Sequence, residues 1–121
     1  MKKVLVVDDS NSIRNEVSDA LGPAGFDVLQ AADATEAFAC LAKHRDVSMM
    51  VLDVNMPGMS GIELLERLRA ERPEETPPVL MLTTEAERQL VERAKKAGAK
   101  GWLLKPIKPE LLVSTVNRLA R

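Results

Sequence analysis

Short apolar runs alternate with helical patterns five times along the chain. Val4-Leu5-Val6-Val7 ends at Asp8-Asp9-Ser10, and Ile13, Val17 and Leu21 then recur at helical spacing until Gly22-Pro23. A weaker strand follows from Phe26 to Leu29, and then a helix from Ala34 to Lys43 with Ala37, Phe38 and Leu41 inward. Met49-Met50-Val51-Leu52 runs into Asp53, with Pro57, Gly58 and Gly61 close behind, and Ile62, Leu65 and Leu68 mark the next helix. The prolines of 72–78 predict an exposed loop. Val79-Leu80-Met81-Leu82 ends at Thr83-Thr84-Glu85, and a helix with Leu90, Val91 and Ala94 runs to Gly98, a C-terminal cap. Trp102-Leu103-Leu104 is closed by Lys105-Pro106, and Leu112, Val116 and Leu119 line a last helix near Pro109 to Leu119.

Strand starts roughly 20–30 residues apart match a βα unit rather than a hairpin. Right-handed crossovers then predict an α/β fold, a single (βα)5 doubly wound domain over residues 1–121 with a five-stranded parallel sheet. The Met49–Leu52 run reads as its fully buried strand. Asp53 would emerge at the C-terminal end of that strand, the edge where open α/β sheets place ligands.

Composition adds one asymmetry to an ordinary balance. The net charge is −1, which gives general nucleic-acid binding no support. Residues 1–85 carry 8 basic and 15 acidic side chains, whereas 86–121 carry 9 and 3. The acidic part holds the candidate site; the basic part is expected to face a partner. The single Cys40 excludes an internal disulfide and reads as a small buried hydrophobe. His44 reads as surface, and Met56 and Met59 as packing beside the Asp53 turn. No signal peptide and no apolar run near the ~20 residues of a membrane span are present. A cytoplasmic, monomeric protein without membrane contact is expected.

Polar residues gather at the predicted strand ends: Asp8 and Asp9 after the first, Asp53 after the third, Thr83 at the fourth and Lys105 at the fifth. Each has an ordinary alternative. Asp9 or Ser10 can cap the first helix, Thr83 can be a capping hydroxyl, and Lys105 can be a solvated terminus. In one parallel sheet, however, all five share an edge. Three carboxylates so close raise one another's pKa, an arrangement that calls for a cation. All-oxygen ligands favour Mg²⁺. Mg²⁺ with Lys105 would also neutralise an incoming phosphoryl group, for which Asp53 is the central nucleophile.

Val-Val-Asp8-Asp9-Ser, Leu-Asp53-Val-Asn-Met-Pro-Gly-Met-Ser-Gly, Leu-Thr83-Thr-Glu and Gly-Ala-Lys-Gly-Trp-Leu-Leu-Lys105-Pro106 occur together and in order. With these motifs the chain resembles the receiver domain of two-component response regulators, specifically the stand-alone chemotaxis (CheY-like) regulators. The resemblance implies the flavodoxin-like strand order 2-1-3-4-5 and a phosphorylation-activated switch rather than an enzyme. It implies Asp53 as the acceptor of a phosphoryl group from a sensor histidine kinase, with Asp8, Asp9, Asp53 and the Asn55 backbone carbonyl around Mg²⁺. Lys105 and Thr83 would bind the phosphoryl oxygens, and Asn55 and Glu85 would flank the water that removes the group. Thr83 and Trp102 would form the switch, with Trp102 mostly outward before phosphorylation because Trp102 and Thr84 are bulky. The helix–strand–helix surface of 86–121 would meet a downstream target with an acidic segment, in a chemotactic or motility process. Lys105-Pro106 would be cis.

Two other chemistries fit less well. A haloacid-dehalogenase-type phosphatase wants a second Asp where Asn55 stands. An FMN carrier wants a Ser/Thr/Gly-rich phosphate loop where Asp8-Asp9 stands. A degenerate receiver is disfavoured because no required residue is missing. The end of the chain directly after the last helix favours a stand-alone protein over a piece of a longer regulator.

Overall fold

Six consecutive buried residues, Val47–Leu52, form the third strand, β3. From Met49 to Leu52 the side chains alternate between two cores, as strand geometry requires. Met50 and Leu52 enter one cluster; Met49 and Val51 enter the other. A strand buried on both faces must lie inside a sheet covered on both sides. In the computed structural model, which describes residues 1–121, β3 is the central strand.

The sheet comprises β1 (Lys2–Val7), β2 (Phe26–Ala31), β3, β4 (Val79–Thr83) and β5 (Gly101–Leu104). All pairings are parallel, in the order β2-β1-β3-β4-β5, the expected flavodoxin-like arrangement. Helices α1 (Asn11–Leu21) and α5 (Pro109–Leu119) cover one face, burying Val17, Leu21, Leu112 and Val116. Helices α2 (Ala34–Lys43), α3 (Gly61–Glu71) and α4 (Arg88–Lys96) cover the other. Burying each large apolar side chain contributes roughly 1.5–3 kcal/mol, and Leu5, Met50, Leu52, Leu64, Leu65 and Met81 are fully buried.

Local chemistry sets the helix starts. Ser10, Asp33 and Ser60 each accept a backbone N–H from three residues on, and Ser60 forms a capping box with Glu63. α4 is seated more shallowly. It has no side-chain cap, and only Ala94 is fully buried, whereas Leu90 and Val91 are half-buried. At its other end Gly98 takes a left-handed conformation (φ 100°), the position just past a helix that glycine favours. The Arg69 guanidinium donates there to the carbonyls of Ala97 and Gly98 (3.1 and 3.3 Å), tying α4 to α3.

Some expectations need correction. β3 begins at Val47, two residues before the apolar run, because ladder pairing defines a strand and Ser48 can be buried within it. The proline-rich loop is exposed only at first. Thr76 and Pro77 are buried, and the Thr76 hydroxyl donates to Arg72 O at 2.8 Å. Cys40 is half-buried rather than buried, and His44 is half-buried as the C-cap of α2.

Candidate functional site

Parallel pairing brings the C-terminal ends of β1, β3, β4 and β5 to one edge. Asp8 follows β1, Asp53 follows β3, Thr83 ends β4 and Lys105 follows β5. Asp8, Asp53 and Thr83 are 2%, 5% and 0% exposed, whereas Asp9 is open to solvent. Carboxylate oxygens of Asp8, Asp9 and Asp53 lie within 4.8 Å of one another. The Lys105 ammonium donates to Asp8 Oδ2 at 2.8 Å and stands 3.4 Å from Asp53 Oδ2. The capping alternative is settled at Ser10, whose hydroxyl accepts the Ile13 N–H while its own N–H donates to Asp8 Oδ1 (2.9 Å). Asp9 is thereby left free of the helix cap. Gly61 completes the frame, since a side chain there would collide with the Asp53 carbonyl.

The charges do not balance. Burial first, and the charge of Asp8 second, push the Asp53 carboxyl above its ordinary value, and Lys105 and Thr83 only partly offset them. Burial works against the Lys105 charge, but the hydrogen bond to Asp8 and the charges of Asp53 and Asp8 outweigh it and hold the ammonium above its usual pKa. One ammonium thus faces three carboxylates, two of them nearly out of water. A trio of hard oxygen donors with one open side suits a divalent cation such as Mg²⁺.

Glu85 joins the remaining residues. Its carboxylate accepts from the Asn55 side chain (3.0 Å), its backbone N–H donates to the Thr83 hydroxyl (3.2 Å), and its carbonyl accepts from Trp102 Nε1 (2.9 Å). Trp102 is half-buried, with its indole N–H anchored on that carbonyl. It closes a recess of about 80 Å³ against Val91, Ala94 and Lys95. Thr84 is exposed. Lys105–Pro106 is cis, as the resemblance implied.

The sequence reading passed over Arg14. Its guanidinium donates to the backbone carbonyl of Asp8 at 2.6 Å. A signal was present, because a cation so near a helix N-terminus opposes the macrodipole and needs a specific partner.

The sequence model of one family, the response regulator receiver domain, matches residues 4–117. A chemotaxis protein CheY homolog of Campylobacter jejuni is 41% identical over 111 residues, covering 91% of this chain and 85% of that protein. Chemotaxis protein CheY-3 of Vibrio cholerae is 37% identical over 117 residues, covering 97% and 90%. Among solved structures, chemotaxis protein CheY4 of Vibrio cholerae superposes with a TM-score of 0.90 at 45% identity over 98% of each chain. CheY in a CheX–CheY–BeF₃–Mg²⁺ complex from Borrelia burgdorferi superposes with a TM-score of 0.87 at 27% identity, covering 99% and 90%. With its strand order, its cluster of strand-end carboxylates and these matches along nearly its whole length, the chain belongs to the response regulator receiver domain family.

Proposed function

We propose that the chain, as a single receiver domain over residues 1–121, is a phosphorylation-activated switch that accepts a phosphoryl group on Asp53 from a sensor histidine kinase. The observation that carries this reading is the setting of Asp53. It is a nearly buried carboxylate 3.4 Å from the Lys105 ammonium and clustered with Asp8 and Asp9. An Asp53 oxygen attacks the phosphorus of a phosphohistidine, the N–P bond breaks, and the imidazole leaves with the bonding pair. Lys105 and the Thr83 hydroxyl hold the transferred oxygens. Asp8, Asp9, Asp53 and the Asn55 backbone carbonyl would hold Mg²⁺, which when bound neutralises the charge of the phosphoryl group. The protein catalyses only its own phosphorylation and dephosphorylation, and Asn55 and Glu85 orient the water for the second.

The signal leaves through α4, β5 and α5 toward a target with an acidic segment. The free charges of that face are fewer than the basic count implied. Arg93 is paired with Glu66 (2.6 Å) and Arg88 with Glu92 (3.4 Å), leaving Lys95, Lys96, Lys100, Lys108 and Arg118 exposed and without an ion pair. The relatives named as chemotaxis proteins support a role in chemotaxis or motility. No helix is long and apolar enough to cross a membrane; the reading places the chain with its kinase in the cytoplasm.

Incubation with a phosphorylated histidine kinase and Mg²⁺ tests the assignment. Acid-labile label should appear on wild-type protein and vanish in Asp53→Asn and in chelator. Undiminished label on Asp53→Asn would overturn it.

A further inference from the structure

Asp8 and Asp9 are neighbours in sequence, yet they are held very differently. Every polar group of Asp8 is engaged. Its N–H donates to Ala31 O (3.1 Å), its two carboxylate oxygens accept from Ser10 N and Lys105 Nζ, and its carbonyl accepts from Arg14. Asp9 is exposed, and its carboxylate has no hydrogen bond or ion pair within the chain. Its oxygen nevertheless stands within 4.8 Å of those of Asp8 and Asp53. Something other than its own side-chain contacts must keep it there.

The Asp8 carbonyl and the Asp9 N–H belong to one planar peptide unit. A charge-assisted hydrogen bond of 2.6 Å to that carbonyl therefore restricts the plane from which the Asp9 side chain departs. The guanidinium is itself held. Arg14 Nε donates to Gln30 Oε1 (3.1 Å) and Nη2 to Asn11 Oδ1 (3.2 Å). Gln30 in turn donates to Asn15 Oδ1 (3.3 Å) and Ser18 Oγ (2.9 Å). Arg14 is half-buried and makes no ion pair with any carboxylate, so its bonds are all to neutral acceptors. We propose that Arg14 is a positioning residue. By clamping the Asp8–Asp9 peptide from α1 and β2, it presents the Asp9 carboxylate to the divalent cation. This inference rests on the metal site proposed above.

Charge and position predict opposite results. Removing a cation beside an acidic cluster strengthens Mg²⁺ binding by Coulomb's law. Releasing the peptide that orients a ligand weakens it, and loss of such outer partners commonly lowers metal affinity about tenfold or more. Calorimetric titration with Mg²⁺ of wild type, Arg14→Met, Arg14→Lys and Gln30→Ala separates the two, with the Tm of each in chelator as the check on folding. Arg14→Met should bind about tenfold more weakly than wild type. Gln30→Ala retains the charge but unhooks the guanidinium, and should also bind more weakly. Arg14→Lys can reach the carbonyl but not Gln30 at the same time, and should fall between. Equal or tighter binding by Arg14→Met overturns the proposal; if that variant does not fold, wild-type affinity in Gln30→Ala does so instead. No saturable Mg²⁺ binding in wild type overturns the metal site itself, a distinct result.

Discussion

The indole N–H of Trp102 donates to the backbone carbonyl of Glu85 across 2.9 Å. Glu85 also receives the Asn55 side chain and donates to Thr83, so one residue links the end of β4, the edge of the site and the ring on β5. A movement of Thr83 toward a phosphoryl group on Asp53 would pull on the Trp102 anchor through two backbone bonds of Glu85. On the proposed function, phosphorylation would then bias an equilibrium between two settings of the ring.

Trp102 is the only Trp and the chain has no Tyr, so its fluorescence reports on this position alone. Half-burial predicts a collisional quenching constant between those of free and buried indole. Beryllofluoride with Mg²⁺ should lower the constant relative to Mg²⁺ alone, and Thr83→Ala should remove the change. A constant equal to the Mg²⁺ baseline would make Trp102 a packing residue only.

Asp53→Asn should stabilise the metal-free protein. Burial and the Asp8 charge raise the folded-state pKa of Asp53, so above that pKa its ionised form favours unfolding. As pH falls, the folded carboxyl is protonated first; the penalty shrinks through the raised pKa and is gone below the unfolded value. In chelator at neutral pH, Asp53→Asn should melt roughly 2–5 °C above wild type, with the gap closing toward acid. A lower Tm for the variant at neutral pH would show that the charge is not a burden.

Asn55→Leu removes the bond to Glu85 and, on the proposed function, would cover the side from which water reaches Asp53. The phosphoryl group should then persist roughly a hundredfold longer, the lower range expected when a group that orients the attacking water is lost. Decay of acid-labile label measures it directly. An unchanged half-life would remove Asn55 from turnover.

Charge reversal at Lys95 and Lys96, both exposed on α4, should weaken target binding and flatten its salt dependence. Labelling of Asp53 should not change. Wild-type affinity in the double variant would move the interface off this face.

Much of the architecture was legible because burial on both faces has an unmistakable pattern. The continuous run before Asp53 matches a strand whose alternate side chains fill two separate cores, and no polar residue but Ser48 interrupts it. Five apolar runs separated by helical spacing predict a parallel doubly wound sheet, and the resemblance to receiver domains supplied the order of its strands. Parallel strands then place Asp8, Asp53, Thr83 and Lys105 at one edge without further information. The recurrence of these residues at strand ends was therefore enough to show which of them would meet at that edge.

What the sequence could not determine lies in the loops, where side chains meet through conformations that no periodicity encodes. The sequence pairs Asn55 with Glu85 as flanks of one water, but it does not show the direct bond that joins their loops, 30 residues apart. The anchoring of Trp102 depends on where the β4–α4 loop carries the Glu85 carbonyl. Thr76 and Pro77 are buried despite their proline-rich surroundings. Arg14 needed the folded α1 and β2 before its reach to the Asp8 carbonyl could be seen. Apolar patterning records how far each residue lies from water, and so determines the sheet and its edge. Hydrogen-bond direction depends on angles fixed only after packing, and so the tertiary structure alone decided how the residues at that edge are held.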